Sequence, residues 1–282
     1  MISGVMPCSG WFTSGHPYKH SIASWARACD EIVVILSGHE EKEKVFTTLA
    51  ELGISNVQVR VINQPTLNSF ASYGSYLLFG VFYCNDPDWV ISIEADFLIS
   101  PSEAQRLKDL LNNAKPEDEV LMADVRTLNY NGTMSLYQQE FHKWFSPHDG
   151  YTWVRPIGYR PKRGILPIPF EAMGPPGDTV NCEGVIAMQP GKWGKTFCSK
   201  ICHNPDNLNL LWSGTKVEHL TFTRSPQCVL SKLAHPHWEA NDINLMKVLD
   251  GTNPFSPSYP DLDNVKASYA VWEQELRDSL KN

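Results

Sequence analysis

The first half of the chain alternates short apolar runs with longer segments whose apolar residues recur at helical spacing. The apolar runs predict strands over residues 2–6, 32–36, 89–93 and 120–128, and the alternation of valine with polar residues predicts another over residues 57–61. Apolar positions three and four residues apart predict helices over residues 20–28, 40–52, 71–83 and 102–112. Strands that alternate with helices in this order require a mainly parallel, Rossmann-like sheet with right-handed crossovers. We therefore expect an α/β fold in which helices flank the sheet.

The second half of the chain has a different pattern. Residues 129–215 are rich in glycine, proline and aromatic residues, which predicts an irregular, loop-rich region resting on the end of the sheet. Helical spacing returns over residues 226–234, 237–249 and 262–280. We expect residues 1–128 and 129–235 to be two halves of one domain, and residues 236–282 to be a C-terminal helical extension.

Composition excludes some classes of protein. With 282 residues, 42% of them hydrophobic and 20% charged, the chain can bury a sizeable core, and its net charge of −7 argues against an obligate nucleic-acid coat. No stretch approaches the roughly 18 apolar residues of a membrane span. The N-terminus has no basic region followed by an apolar run, and the seven scattered cysteines are typical of reduced thiols, so we expect a cytoplasmic protein.

The strand predicted at residues 89–93 runs directly into two carboxylates, Glu94 and Asp96, with Ala95 between them. Ligands of α/β sheets bind outside the carboxyl ends of the strands. An acid-x-acid pair at this place can hold a hard divalent cation, Mn²⁺ or Mg²⁺, that keeps positions open for phosphate oxygens. The alternative is a solvated turn, since acidic residues often follow strands. The pattern favours a metal-dependent enzyme that uses a nucleotide-activated substrate.

The loops that follow the other parallel strands would face the same crevice as the acidic pair. They place Pro7, Ser37, Glu40 and Gln64 beside residues 94–96 as candidate donor-binding residues. No Gly-x-Gly-x-x-Gly pattern follows the first strand, which weighs against an NAD-type domain, and the full phosphate-loop motif Gly-x-x-x-x-Gly-Lys-Ser/Thr does not occur in the sequence.

Several short segments share their pattern with one enzyme family. They are the helix at 18–25 followed by Asp-Glu-Ile-Val-Val at 30–34, the run from Asp88 to Asp96, Phe141-His142, Trp153-Val154-Arg155, and Val217-Glu218-His219 with Arg224 and Lys232 downstream. These segments resemble the glycosyltransferase family 2-like group, whose members have the GT-A fold. The resemblance covers residues 1–128 well and 129–235 loosely.

The resemblance implies a role for each part of the chain and for the residues that bind metal. Residues 1–128 would bind the nucleotide sugar, and residues 129–235 would carry the acceptor side and the catalytic groups. Asp96 would be the main carboxylate ligand, and Glu94 would reach the metal through water or the ribose hydroxyls. His219 would be the third ligand, and its imidazole would favour Mn²⁺ over Mg²⁺.

The resemblance also implies a reaction: transfer of a sugar from a nucleoside diphosphate sugar, of the uridine type, to a hydroxyl acceptor with inversion. Inversion needs one general base, for which Glu183, Asp178 and Glu171 are the candidate carboxylates. A glycan is the default acceptor. The alternatives are a hydroxymethylated base of phage DNA as acceptor, nucleotidyl transfer to a sugar phosphate, and a sugar-binding domain without catalysis. The sequence leaves the oligomeric state open.

Overall fold

The computed structural model describes residues 1–8, 17–36, 42–62, 70–127, 153–166, 186–187 and 209–220. Strands in this part of the chain are β1 (Ile2–Cys8), β2 (Glu31–Leu36), β3 (Val57–Val61), β4 (Trp89–Ser92), β5 (Phe97–Ile99), β6 (Val120–Thr127), β7 (Trp153–Tyr159), β8 (Ile165–Leu166), β9 (Ile186–Ala187) and β10 (Leu210–His219). The helices are α1 (Tyr18–Trp25), α2 (Lys42–Leu52), α3 (Phe70–Tyr83) and α4 (Pro101–Asn112), with a 3₁₀ turn at Pro161–Arg163. Every strand and helix predicted in the first half is present, and each end lies within three residues of its predicted position.

Eight of the strands form one sheet in the order β3-β2-β1-β4-β7-β6-β10-β5. Neighbours are parallel from β3 to β4 and between β6 and β10, whereas β7 runs antiparallel to both β4 and β6, and β5 runs antiparallel to β10. The expected fold class, a mainly parallel α/β sheet flanked by helices, is therefore confirmed.

The strand order reverses at β1, which lies between β2 and β4. In open α/β sheets such a reversal leaves a crevice outside the carboxyl ends of the two strands at which the order reverses, here β1 and β4, and ligands bind in that crevice. The loops that follow β1, β2 and β3 at this edge, residues 9–16, 37–41 and 63–69, lie outside the described part of the chain. The turn after β4 is described, and it carries the acidic pair.

Helices cover the two faces of the sheet. On one face, Ile22 of α1 and Leu107 of α4 share a buried cluster with Met6 and Ile91 of the central strands. On the other face, Val5 of β1 packs in a cluster with Leu77 of α3. No helix within the described residues is long and apolar enough to cross a membrane.

At the amino edge of the sheet, charged side chains are held in structural contacts. Lys162 Nζ lies 2.9 Å from Asp86 and 3.1 Å from Asp88, and the guanidinium of Arg160 stacks 4.5 Å from the Trp89 ring. Arg160 also donates a 3.0 Å hydrogen bond to the carbonyl of Pro116. These cations lie at the end of the sheet opposite to the acidic pair.

The prediction of an irregular region over residues 129–215 is wrong for two segments, because β7 and most of β10 belong to the main sheet. Strand β7 was not predicted because it contains a proline, which is uncommon inside strands. In the structure Pro156 is paired with Met122 where the β6–β7 register shifts, and such an irregularity tolerates a residue without an N–H. The helices predicted at 226–234, 237–249 and 262–280 lie outside the described residues.

Candidate metal centre

The acidic pair lies in a tight turn at the carboxyl end of β4. The N–H of Ile93 donates to the carbonyl of Val5 at 2.9 Å, so that β4 stays bonded to β1 up to the turn. The N–H of Phe97 then donates to the carbonyl of Glu94 at 3.0 Å, which closes a four-residue turn. Both carboxylates therefore leave the backbone within one turn, at the edge of the sheet where ligands bind.

Helix α1 holds the backbone of this turn through three side chains on its buried face. Ser21 Oγ donates to the carbonyl of Glu94 at 2.9 Å, and Trp25 Nε1 donates to the carbonyl of Phe97 at 3.1 Å. Ser24 Oγ accepts a 3.4 Å hydrogen bond from the N–H of Ile99. Residues three and four apart share one side of a helix, so this part of α1 fixes the segment from the acidic turn to the end of β5.

His219 reaches the turn from the last residue of β10. It is paired with Phe97 across the antiparallel β5–β10 ladder, and the N–H of Leu220 donates to the carbonyl of Asp96 at 2.9 Å. The rings of His219 and Phe97 meet edge to face, with centroids 5.1 Å apart and planes inclined by 78°. Strand pairing and this aromatic contact together place the imidazole beside the carboxylates.

The three side chains form a compact cluster. His219 Nε2 lies 3.8 Å from Glu94 Oε2 and 3.7 Å from Asp96 Oδ2, and one ligand atom from each residue lies within 4.8 Å of the other two. Asp96 is 2% exposed and His219 is 9% exposed. This was the only cluster of three or more such ligands that we found within the described ranges.

The cluster fits a divalent cation. Two ligands about 2.1 Å from an ion and at right angles to each other are about 3 Å apart. The distances of 3.8 and 3.7 Å from His219 to the two carboxylates would each have to shorten by less than about 1 Å to reach that value. Two carboxylates this near to each other repel, and a cation between them would offset that repulsion. Carboxylates alone suit Mg²⁺, and the added imidazole favours Mn²⁺.

The other predicted site residues fall into two groups. Ala95 is buried in the turn, but Pro7 lies within β1, paired with Ile35, and not in the loop where the sequence predicted it. The strand continues because its parallel partner β2 extends as far as Leu36. The remaining candidates lie outside the described residues, and their roles stay predictions: Ser37, Glu40, Gln64, Glu171, Asp178 and Glu183.

Sequence reasoning missed the residues that support the cluster, among them Ser21, Trp25 and Phe97. One signal was present: Ser21 and Ser24 lie on the buried face of α1, where a helix packed on a sheet normally carries apolar side chains. Two buried hydroxyls there require polar partners, and the structure supplies carbonyl and amide groups of the chain itself.

No family model and no curated protein matches the chain. Similar solved structures include TarS 1–349 of S. aureus, at 11% identity and a TM-score of 0.45, with 98% of this chain and 79% of that chain covered. Glucosyl-3-phosphoglycerate synthase of Mycobacterium tuberculosis, in complex with phosphoglyceric acid, matches at 13% identity and a TM-score of 0.42, with 78% of this chain and 71% of that chain covered. A 4-diphosphocytidyl-2C-methyl-D-erythritol synthase of Anaerococcus prevotii matches at 11% identity and a TM-score of 0.36, with 57% and 70% covered.

The TM-scores of these three structures are all below 0.5, which describes only a general likeness to this chain. The chain's own structure shows a sheet whose strand order reverses at β1 and a cluster of three potential metal ligands after β4. The chain is thus a mixed α/β protein with a mainly parallel sheet of the kind expected for a GT-A-like fold, and it carries a candidate metal centre at the carboxyl edge.

Proposed function

We propose that this chain is a metal-dependent glycosyltransferase that moves a sugar from a nucleoside diphosphate sugar, of the uridine type, to a hydroxyl acceptor with inversion. The observation that carries the proposal is the cluster of Glu94, Asp96 and His219 at the carboxyl end of β4, beside the reversal in strand order. This is where an α/β sheet binds ligands, and the donor set suits a cation that also binds phosphate oxygens.

The different burial of the three side chains suggests which of them contact the cation directly. Asp96, with a side chain 2% exposed, would bind the cation directly, and His219 would add a nitrogen ligand. The Glu94 side chain is 20% exposed, which suits contact through water or a ribose hydroxyl at the mouth of the site. Bound Mn²⁺ would neutralise the charge that develops on the departing diphosphate.

The acceptor side of the reaction needs a base. As the hydroxyl oxygen forms its bond to the anomeric carbon, the bond from that carbon to the diphosphate oxygen breaks, and the hydroxyl proton passes to a carboxylate. Glu183 is our first candidate for this carboxylate, and Asp178 and Glu171 are the alternatives. Their amide variants (Glu183→Gln, Asp178→Asn and Glu171→Gln) test the choice, because loss of the base lowers kcat and leaves donor binding intact.

The acceptor proposed is a neutral glycan hydroxyl. Modified DNA would need a basic surface near the site, since phosphate contacts dominate DNA binding. Arg160 and Lys162, which could have formed such a surface, lie at the opposite edge of the sheet, and Lys162 is paired with Asp86 and Asp88. Arg160 and Lys162 therefore give no support to a DNA acceptor at the carboxyl edge, where the acidic pair lies.

A nucleotide panel tests the donor site. Thermal unfolding is measured with Mn²⁺ and each nucleoside diphosphate or nucleotide sugar, for wild type, Asp96→Asn and the control Asp109→Asn on the exposed side of α4. We expect a uridine nucleotide to raise Tm only with Mn²⁺, in wild type and in the control but not in Asp96→Asn. No shift with any nucleotide at millimolar concentration would contradict the proposal.

Turnover separates the proposed reaction from the alternatives. A glycosyltransferase releases a nucleoside diphosphate from the nucleotide sugar, and a nucleotidyltransferase releases pyrophosphate from a nucleoside triphosphate. A sugar-binding domain would show the thermal shift and neither product. Mass spectrometry of the nucleotide products, with a pool of glycan acceptors present, distinguishes the three.

A further inference from the structure

Strand β10 reaches His219 through a bulge. Trp212 is paired with Met122 and Lys216 with Asp124, so β10 advances four residues where β6 advances two. Gly214, inside the bulge, has a φ of 57°, a conformation that favours glycine. The bulge thus inserts two extra residues into β10 relative to β6.

This bulge decides where His219 stands. A strand rises about 3.3 Å per residue, so two extra residues draw His219 back by about 6.6 Å along the sheet. With the bulge in place, His219 is paired with Thr127 on β6 and with Phe97 on β5, next to Asp96. In a regular strand His219 would stand about 6.6 Å further along β6, away from its present pairing with Phe97.

Two charged side chains of α4 bind the outer side of the bulge. Arg106 Nη1 donates to the carbonyl of Ser213 at 3.1 Å, and its Nη2 donates to the carbonyl of Gly214. Glu103 Oε2 accepts a 3.0 Å hydrogen bond from the N–H of Lys216 and lies 2.5 Å from Arg106 Nη2. One ion pair on a helix therefore binds three backbone groups in and next to the bulge, namely the carbonyls of Ser213 and Gly214 and the N–H of Lys216.

We propose that Arg106 and Glu103 are positioning residues for His219, which fix the bulge and so set where the imidazole meets Glu94 and Asp96. Charge-assisted hydrogen bonds are the strong ones, and the planar fork of arginine reaches two carbonyls at once, which lysine does not reproduce. The expected effect on metal binding rests on the proposed function. The expected effect on the position of His219 does not.

The test compares Arg106→Ala and Arg106→Lys with the control Lys108→Ala. Lys108 lies on the same helix and pairs with Asp30 at 2.7 Å, so its loss removes a similar contact away from the bulge. In metal-free protein, NMR follows the ring protons of His219, assigned by their loss in His219→Ala. These signals report position because the Phe97 ring lies against the imidazole.

We expect Arg106→Ala to move the His219 signals and to weaken Mn²⁺ binding about tenfold, the lower end of the range for residues that orient metal ligands. Arg106→Lys should give a smaller change of the same kind, and Lys108→Ala should change neither readout. In a His219→Ala background, Arg106→Ala should cause no further loss of Mn²⁺ affinity, because its effect passes through that ligand.

Unmoved His219 signals in Arg106→Ala, or an undiminished affinity loss in the His219→Ala background, would overturn the inference. Should Arg106→Ala fail to fold, Glu103→Gln takes its place, since it keeps an oxygen for the Lys216 N–H while it weakens the ion pair. A wild type that binds no Mn²⁺ would contradict the proposed function, and the NMR comparison would still decide the positioning role.

Discussion

Phe97 and His219 face each other across the β5–β10 ladder, with ring centroids 5.1 Å apart and planes inclined by 78°. Asp96 directly precedes Phe97, and its carbonyl accepts a hydrogen bond from the N–H of Leu220, which directly follows His219. One pair of opposed residues therefore sets both the register of the two strands and the approach of the imidazole to the carboxylate.

Replacing Phe97 with leucine should weaken both the fold and the metal site. Phe97 is 1% exposed, so we expect Phe97→Leu to lower the free energy of unfolding by about 1–2 kcal/mol and to reduce Mn²⁺ affinity. Urea unfolding and Mn²⁺ titration check the two effects. Ile99→Val, in the same strand, should cost about 1 kcal/mol with affinity unchanged. Full Mn²⁺ affinity in Phe97→Leu would show that the ring does not position His219.

The choice of metal should depend on His219. Replacing its nitrogen with a carboxylate in His219→Glu gives the cluster three oxygen-bearing ligands, which suit Mg²⁺ better. We expect the ratio of Mn²⁺ affinity to Mg²⁺ affinity to fall, as measured by competition titration with circular dichroism as the check on folding. An unchanged ratio would place His219 outside the coordination shell.

The contact of α3 with the sheet should not tolerate a methyl group at Gly80. A Cβ there would overlap the Val5 side chain, and the branched Val5 has few alternative rotamers. We expect Gly80→Ala to lower the free energy of unfolding by about 1–3 kcal/mol, and by less in a Val5→Ala background. Equal losses in the two backgrounds, measured by urea unfolding, would mean that the overlap with Val5 is not the cause of the loss.

The contribution of the Asp30–Lys108 ion pair to the free energy of unfolding should decrease at acidic pH. Burial would raise the pKa of Asp30, but hydrogen bonds from Lys108 and from the N–H of Ile2 outweigh it and lower the pKa below its usual 3.8. A carboxyl whose pKa falls on folding stabilises the protein above the unfolded value, and this stability is lost as the pH falls through the folded value. Asp30→Asn should therefore be less stable than wild type at neutral pH, with a difference that shrinks below pH 3.8. Urea unfolding at several pH values checks this, and a constant difference would contradict it.

The strands of the first half could be predicted because each is an apolar run, as in residues 32–36, or an apolar-polar alternation, as in Val57–Val61, between helical segments. The strands that were missed each break that pattern. Pro156 interrupts β7, Ser213 and Gly214 form the bulge of β10, and β5 has only three residues before the Ser100 cap of α4. Irregularities of this kind are stabilised by neighbouring strands and helices, and a local window of sequence does not contain those neighbours.

The same distinction holds at the site. Glu94 and Asp96 could be proposed from their place after a strand, and His219 came from the family resemblance. Ser21 and Arg106 could not be proposed, because each acts on backbone carbonyls far along the chain, those of Glu94 and Ser213. A backbone carbonyl is present at every residue, so the sequence holds no mark of which one a side chain will contact.

Binding of a divalent cation by Glu94, Asp96 and His219 can be measured by a Mn²⁺ titration followed by electron paramagnetic resonance. Wild type, Asp96→Asn and the control Asp109→Asn are compared under the same conditions, with circular dichroism to show that each is folded. We expect one saturable Mn²⁺ site in wild type and in the control, and its loss in Asp96→Asn. Equal Mn²⁺ binding by wild type and Asp96→Asn, or no binding by wild type, would contradict it.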